Sequence, residues 1–447
     1  MSSCFAVAAN GIWFVTVPES ANTAQLVPEI VVSEGASVKV DGLPYEAGKA
    51  YDFSGSEHSV TVSSESGART VDYRICIKSG DAFVDNRIYE FMRDFSIPGV
   101  AVAIMKRTEI AYATGCGFAV QESNEMCTAD HLFRIGNISR VFCTMCIMSL
   151  KEEGRLNLDE VVFGENGILK NLKLTVTPYH ESITVRHLLS CSSGLCKGLG
   201  DPCFTDSFRF YDNVAPVPAD TLIQRVLAAR PQPFDDGSMI WSAGAGYDDS
   251  NLDYCILHRV VEIVSGKDYE SYLKQDVLSK MGIMDTHIGD YAQDRRQNEC
   301  AYYGKDGLDA YTVPLRETAG ALGIISSAKQ LMTVLAFMDR DDTVPDIFSE
   351  ETQDEMYSPY GYTGSGEYGK SFKRFGLGWK LNHPGFFKGS HYCDGDMPGT
   401  VAILVGGTDH SMSGVLLCNS NAYHSNGNGD IKDNLEIMLN DFLRQYE

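Results

Sequence analysis

The chain has 447 residues, 44% of them hydrophobic and 22% charged, which is ordinary for globular protein and leaves ample sequence for a large core. A formal net charge of −23 argues against nucleic acid and anionic membrane as partners, because both repel an acidic surface. No run approaches the roughly 18 apolar residues that a membrane span needs, so no membrane association is expected.

The first eleven residues carry no Lys or Arg ahead of a short apolar stretch that ends by Asn10, a poor signal peptide. Thirteen cysteines show no zinc-type spacing, which points to a reducing compartment and a cytoplasmic location. Residues 1–80 are β-like. Leu26 to Val32, Ser37 to Val40, His58 to Val62 and Thr70 to Ile77 are rich in Val and Ile, and Gly, Ser and Pro clusters separate them. That pattern predicts a small N-terminal β-sandwich as a first domain over 1–80. From Asp81 the texture changes. Asp85 to Phe95 has helical periodicity, Ile97 to Met105 reads as a buried strand, and Ile110 to Gly117 fits as its hairpin partner. The single CxxC, Cys143 to Cys146, lies in an apolar helical stretch, where two buried thiols are expected.

Several segments of residues 83–445 resemble one family. They include Phe95-Ser-Ile-Pro-Gly-Val-Ala-Val-Ala-Ile104, Ile183-Thr-Val-Arg-His-Leu-Leu-Ser-Cys-Ser-Ser-Gly-Leu195, Val260-Val-Glu-Ile-Val-Ser-Gly266, Gly323-Ile-Ile-Ser-Ser-Ala328 and Phe375-Gly-Leu-Gly-Trp379. Leu150 to Glu160 resembles the end of the helix after the nucleophile, with Gly154 as its stop. Together they are similar to the serine β-lactamase and penicillin-binding protein family, in its class C and esterase-type branch. The resemblance implies an α+β domain over 81–447: a five-stranded antiparallel sheet flanked by helices, beside a helical lobe, with the pocket between.

The family's chemistry rests on three motifs, and the chain departs from each. Where Ser-x-x-Lys is expected stand Asn137 and Arg140. An amide is no nucleophile, and a guanidinium stays protonated at physiological pH. The plainer role for Asn137 is a helix N-cap. Where the family has Tyr-x-Asn the chain has Asp249-Ser250-Asn251, with Tyr247 near enough to fill the vacancy. Where it has Lys-Thr-Gly the chain has Cys393-Asp394-Gly395, with Gly395 leaving room for a ligand against the strand and His391 sharing the face of Cys393. The motif Lys and Tyr are neighbours in the family fold, so Arg140 and Asp249 should meet in a bidentate ion pair that lowers the Asp249 pKa.

A cleft without the acyl-serine machinery is therefore expected to bind a small molecule. Asn137, Arg140, Tyr247, Asn251, Gly395 and Asp396 would contact it, with Arg140 favouring an anion. The alternative is an enzyme with replaced chemistry, an isomerase or lyase using Asp249, Asp394 and His391 as acid and base or Cys393 as nucleophile. Against that stands the reading of Asp394 and Asp396 as flanks of a solvent-exposed turn. A third option is residual esterase or peptidase activity through Ser139 or Tyr247. No cofactor is implied, and no ligand set has metal-binding spacing.

Overall fold

The computed structural model describes residues 6–9, 12–55, 57–199, 211–212, 215–304, 309–362, 374–382, 385–407, 412–421 and 430–447. Strands form where the N-terminal Val and Ile stretches predict them. They are β1 (Ala6–Ala9), β2 (Ile12–Pro18), β3 (Ser37–Val40), β4 (Leu43–Pro44), β5 (His58–Ser63) and β6 (Thr70–Gly80). They make one six-stranded sheet in the order β1-β2-β6-β5-β3-β4, rather than two separately hydrogen-bonded sheets. Leu26 to Val32 is not a strand; Leu26 makes only an isolated bridge to Tyr51. Val40, Tyr51, Phe53 and Val60 form a small core of their own.

β2 lies parallel to β6 and was not anticipated from the sequence. It reaches past the N-terminal core and buries Ile12 and Phe14 in the second unit, where Phe14 stacks on Tyr89 at 5.6 Å. A buried polar knot fixes this junction. Asp85 accepts hydrogen bonds from Thr16 at 2.8 Å and Tyr112 at 2.9 Å, and it pairs with Lys78 at 3.0 Å.

The second unit begins one residue after β6. Asp81 caps α1 (Ala82–Phe95) by accepting from the amides of Phe83 and Val84. Next come β7 (Gly99–Lys106), its partner β8 (Glu109–Val120), β9 (Glu125–Met126), β10 (Leu132–Arg134) and the central helix α2 (Ser139–Glu152). Further along are α3 (Asn251–Ser265), β11 (Ile324–Ser327), β12 (Lys380–Leu381), β13 (Ser390–Met397), β14 (Thr400–Gly407), β15 (Met412–Cys418) and α4 (Ile431–Tyr446). The main sheet is antiparallel, with the order β12-β13-β14-β15-β7-β8-β9 and two further short strands beyond β12. Its five long strands, β13, β14, β15, β7 and β8, are the expected five; the rest are two-residue edges.

Period-two alternation divides the core between the two faces of this sheet. Along β7, Val100, Val102 and Ile104 face the layer that holds α1 and α4, while Ala101, Ala103 and Met105 face the layer built on α2 and α3. Helix α2 is buried almost all round, which suits its apolar sequence, and Cys143 and Cys146 are fully enclosed within it. It stops at Gly154, whose φ of 69° is the left-handed conformation that glycine adopts without strain. Every described cysteine is a free thiol. No described helix is long and apolar enough to cross a membrane.

Candidate functional site

The residues at the three motif positions come together from the start of α2, the loop before α3 and the strands β12 and β13. A 3-10 turn, Gly136–Ile138, leads into α2, so Asn137 lies one turn short of the helix proper and does not cap it. Its amide is drawn elsewhere: Nδ2 donates to Asn251 Oδ1 at 2.6 Å. The backbone around it is pressed against β13. A Cβ on Gly395 would lie 2.1 Å from the Ile135 carbonyl oxygen, and one on Gly136 only 2.9 Å from the Asp396 amide nitrogen. Gly395 thus makes room for the chain's own turn, not for a ligand as the sequence suggested.

Arg140 is 3% exposed and reaches across to the loop before α3. Its NH1 donates to Asp249 Oδ1 at 2.6 Å and its NH2 to Asn251 Oδ1 at 2.8 Å, while Nε is buried without a partner. The expected ion pair is present, but the fork is shared between an acid and an amide rather than bidentate on Asp249. Behind it the guanidinium rests over the Tyr254 ring at 5.3 Å and near the Cys191 sulfur at 3.9 Å.

The backbone presents Asp249 to that guanidinium. The Asp248 amide donates to the Cys191 carbonyl at 2.8 Å, and Ser250 caps α3 by accepting from the Asp253 amide at 3.1 Å. Asp249 stands between these two anchors with 55% of its side chain open to solvent. Desolvation pushes its pKa upward, but the charges of Arg140 and Lys380 outweigh that and hold it below the usual carboxylate range. It is an ionised partner and a weak base.

The β13 residues are not as the sequence suggested. Asp394 and Asp396 sit inside a regular strand, 15% and 16% exposed, not beside a solvent-facing turn. Lys380 on β12 pairs with Asp394, and Lys432 at the start of α4 pairs with Asp396 at 3.0 Å. Neither lysine was picked out from the sequence. Lys380 directly follows the Phe375 to Trp379 segment and could have been found beside it; Lys432 has no local signal.

The proposed His391 and Cys393 couple does not form. His391 is buried against Tyr357 at 4.3 Å and Trp379 at 4.7 Å, its Nδ1 lacks a partner, and burial drives its pKa down to about 3. The Cys393 thiol points at the Asn137 carbonyl at 3.4 Å and is pushed up to about 12 by burial, so it is no thiolate at neutral pH. The Tyr247 ring packs on Phe375 at 4.7 Å, and burial first, then the nearby charge of Asp249, raises its phenol well above the ordinary value. Ser139 is wholly buried and its hydroxyl accepts from the Ile324 amide at 3.0 Å.

Asp253 was missed. It is fully buried, accepts from Ser193 at 2.7 Å, and has a second oxygen without a partner; burial lifts its pKa to about 7. Among the described residues no cluster of three or more His, Cys, Asp or Glu could hold a metal ion.

Residues 84–438 match the family model described as Beta-lactamase. The chain is 26% identical over 311 residues to Beta-lactamase-like protein 2 of Dictyostelium discoideum, covering 65% of this chain and 52% of that protein. It is 24% identical over 258 residues to Penicillin-binding protein 4 of Amycolatopsis lactamdurans, covering 56% and 61%. The chain thus spans about half the length of these relatives. Among solved structures it resembles the octameric penicillin-binding protein homologue from Pyrococcus abyssi, with a TM-score of 0.63 at 23% identity over 81% of this chain and 77% of that one. A class C β-lactamase gives a TM-score of 0.61 at 19% identity over 80% and 94%.

Proposed function

Given that the chain belongs to the β-lactamase family, we propose that its cleft binds a small molecule and carries out no acyl transfer through a serine. One observation carries the reading: the guanidinium of Arg140, in the place of the motif lysine, is committed to Asp249 and Asn251 and, being already protonated, cannot take a proton. The family's reaction needs a hydroxyl beside an amine that can take its proton. Here the only hydroxyl on that stretch, Ser139, faces inward and is used by a backbone amide.

An acid/base enzyme is the weaker reading. Its base would be Asp249, whose charge is held by two cations, or Asp394, which is bound to Lys380. His391 and Cys393 are shut away from the cleft. The free thiols of the described residues suit a reducing compartment, and we place the protein in the cytoplasm on that ground.

The test is covalent labelling of the intact protein with a fluorescent penicillin and a fluorophosphonate. No adduct by mass spectrometry is expected with either. Stoichiometric labelling at any side chain would refute the reading.

A further inference from the structure

Asp249 is held the way a bound carboxylate would be. Its carboxylate meets a buried guanidinium at 2.6 Å, Lys380 lies nearby but is itself paired with Asp394, and 55% of its side chain is open to solvent. The receptor is built independently of it. Asn251, the Tyr254 ring and Cys191 hold Arg140 from behind, so the guanidinium keeps its position when Asp249 leaves. The part of the donor that a ligand would meet is NH1, which engages a single Asp249 oxygen; NH2 is taken by Asn251 and Nε is enclosed. A buried guanidinium cannot stay uncompensated, so whatever displaces Asp249 must itself be an anion. A carboxylate reproduces the charge-assisted N–H···O contact that Asp249 makes with NH1; a halide supplies no such oxygen.

We propose that Asp249 is an internal stand-in for the ligand: the cleft recognises molecules bearing a carboxylate, which swings Asp249 outward and takes its place on Arg140. The proposal rests on the binding reading above and names the ligand's chemical class. The exposed position of Asp249, one residue ahead of the α3 cap, lets it turn away without unmaking the helix.

Sodium formate is the probe, the smallest carboxylate, with chloride at equal ionic strength as reference. Melting temperatures are compared for the wild type, Asp249→Ala, Asp249→Asn and the double variant Arg140→Met/Asp249→Ala. At about 100 mM, formate should raise the melting temperature of both single variants by roughly 2 °C more than chloride does, by mass action on the vacated site. The wild type should shift less, because its own carboxylate competes, and the double variant should not shift at all. General salt effects act alike on all four proteins and drop out. Equal shifts in the single and double variants overturn the proposal, as does no formate-specific shift in Asp249→Asn, which keeps the native shape if the alanine variant fails to fold. Such a failure leaves the absence of covalent labelling intact, so the two readings fall separately.

Discussion

Two ion pairs in this molecule each have one enclosed partner and one that reaches solvent, and the enclosed partner is of opposite charge in the two. At the junction, Asp85 is wholly enclosed and both its oxygens are taken, by Thr16 and Lys78 on one and Tyr112 on the other. In the cleft, it is the cation that is enclosed, while the acid lies half in water. An enclosed acid with both oxygens engaged does not exchange, because removing it leaves Thr16, Tyr112 and Lys78 without their acceptor. An acid that reaches solvent can. The first ties the N-terminal strands to the family domain; the second marks a place where something else can bind.

The comparison is broken most severely at Asp85. Asp85→Asn should destabilise the protein by about 3–5 kcal/mol in urea unfolding, since Lys78 loses its only described carboxylate. A loss under about 1 kcal/mol would mean that Asp85 does not hold the junction together.

Asp253 sharpens the contrast from another direction, being a buried carboxyl paired with no cation. Its folded pKa is raised to about 7, so folding favours the protonated form. The sign follows: its contribution is fully present below the unfolded value near 4 and is lost as pH rises through 7. Asp253→Asn should therefore gain stability over the wild type as pH goes from 4 to 8, by about 2 kcal/mol at the upper end and at most about 4. Parallel pH profiles for the two proteins would disprove it.

The smallest effect is expected in the cleft. Arg140→Met should cost about 1–2 kcal/mol of unfolding free energy, because Asp249 can hydrate on its open side and the apolar chain fills the guanidinium's space. A loss as large as at Asp85 would erase the distinction between the two sites.

The fold was legible because its signals are local and repeated, such as the continuous apolar run of β7, the apolar middle of α2 and the Gly154 stop. Meeting of Arg140 and Asp249 was legible too, since two motif positions that touch in the family were both replaced. What failed depended on packing. Asp394-Gly395-Asp396 reads as a turn, yet the glycine is there because the Ile135 carbonyl presses on it, and the acids find lysines from a remote strand and helix. Asn137 reads as a cap, but a 3-10 turn shifts it off the helix end and Asn251 claims its amide. Strand β2 escaped notice because its mixed Trp, Phe and Thr text carries no clean alternation; its burial is set by α1.

The contact between Gly136 and Gly395 has a mechanical consequence. With no side chain between them, the turn carrying Asn137 and the middle of β13 form a single stiff jaw. Widening the gap from that side would tear main chain from main chain. A guest that reaches Arg140 would therefore have to displace the loop bearing Asp249 and not this turn.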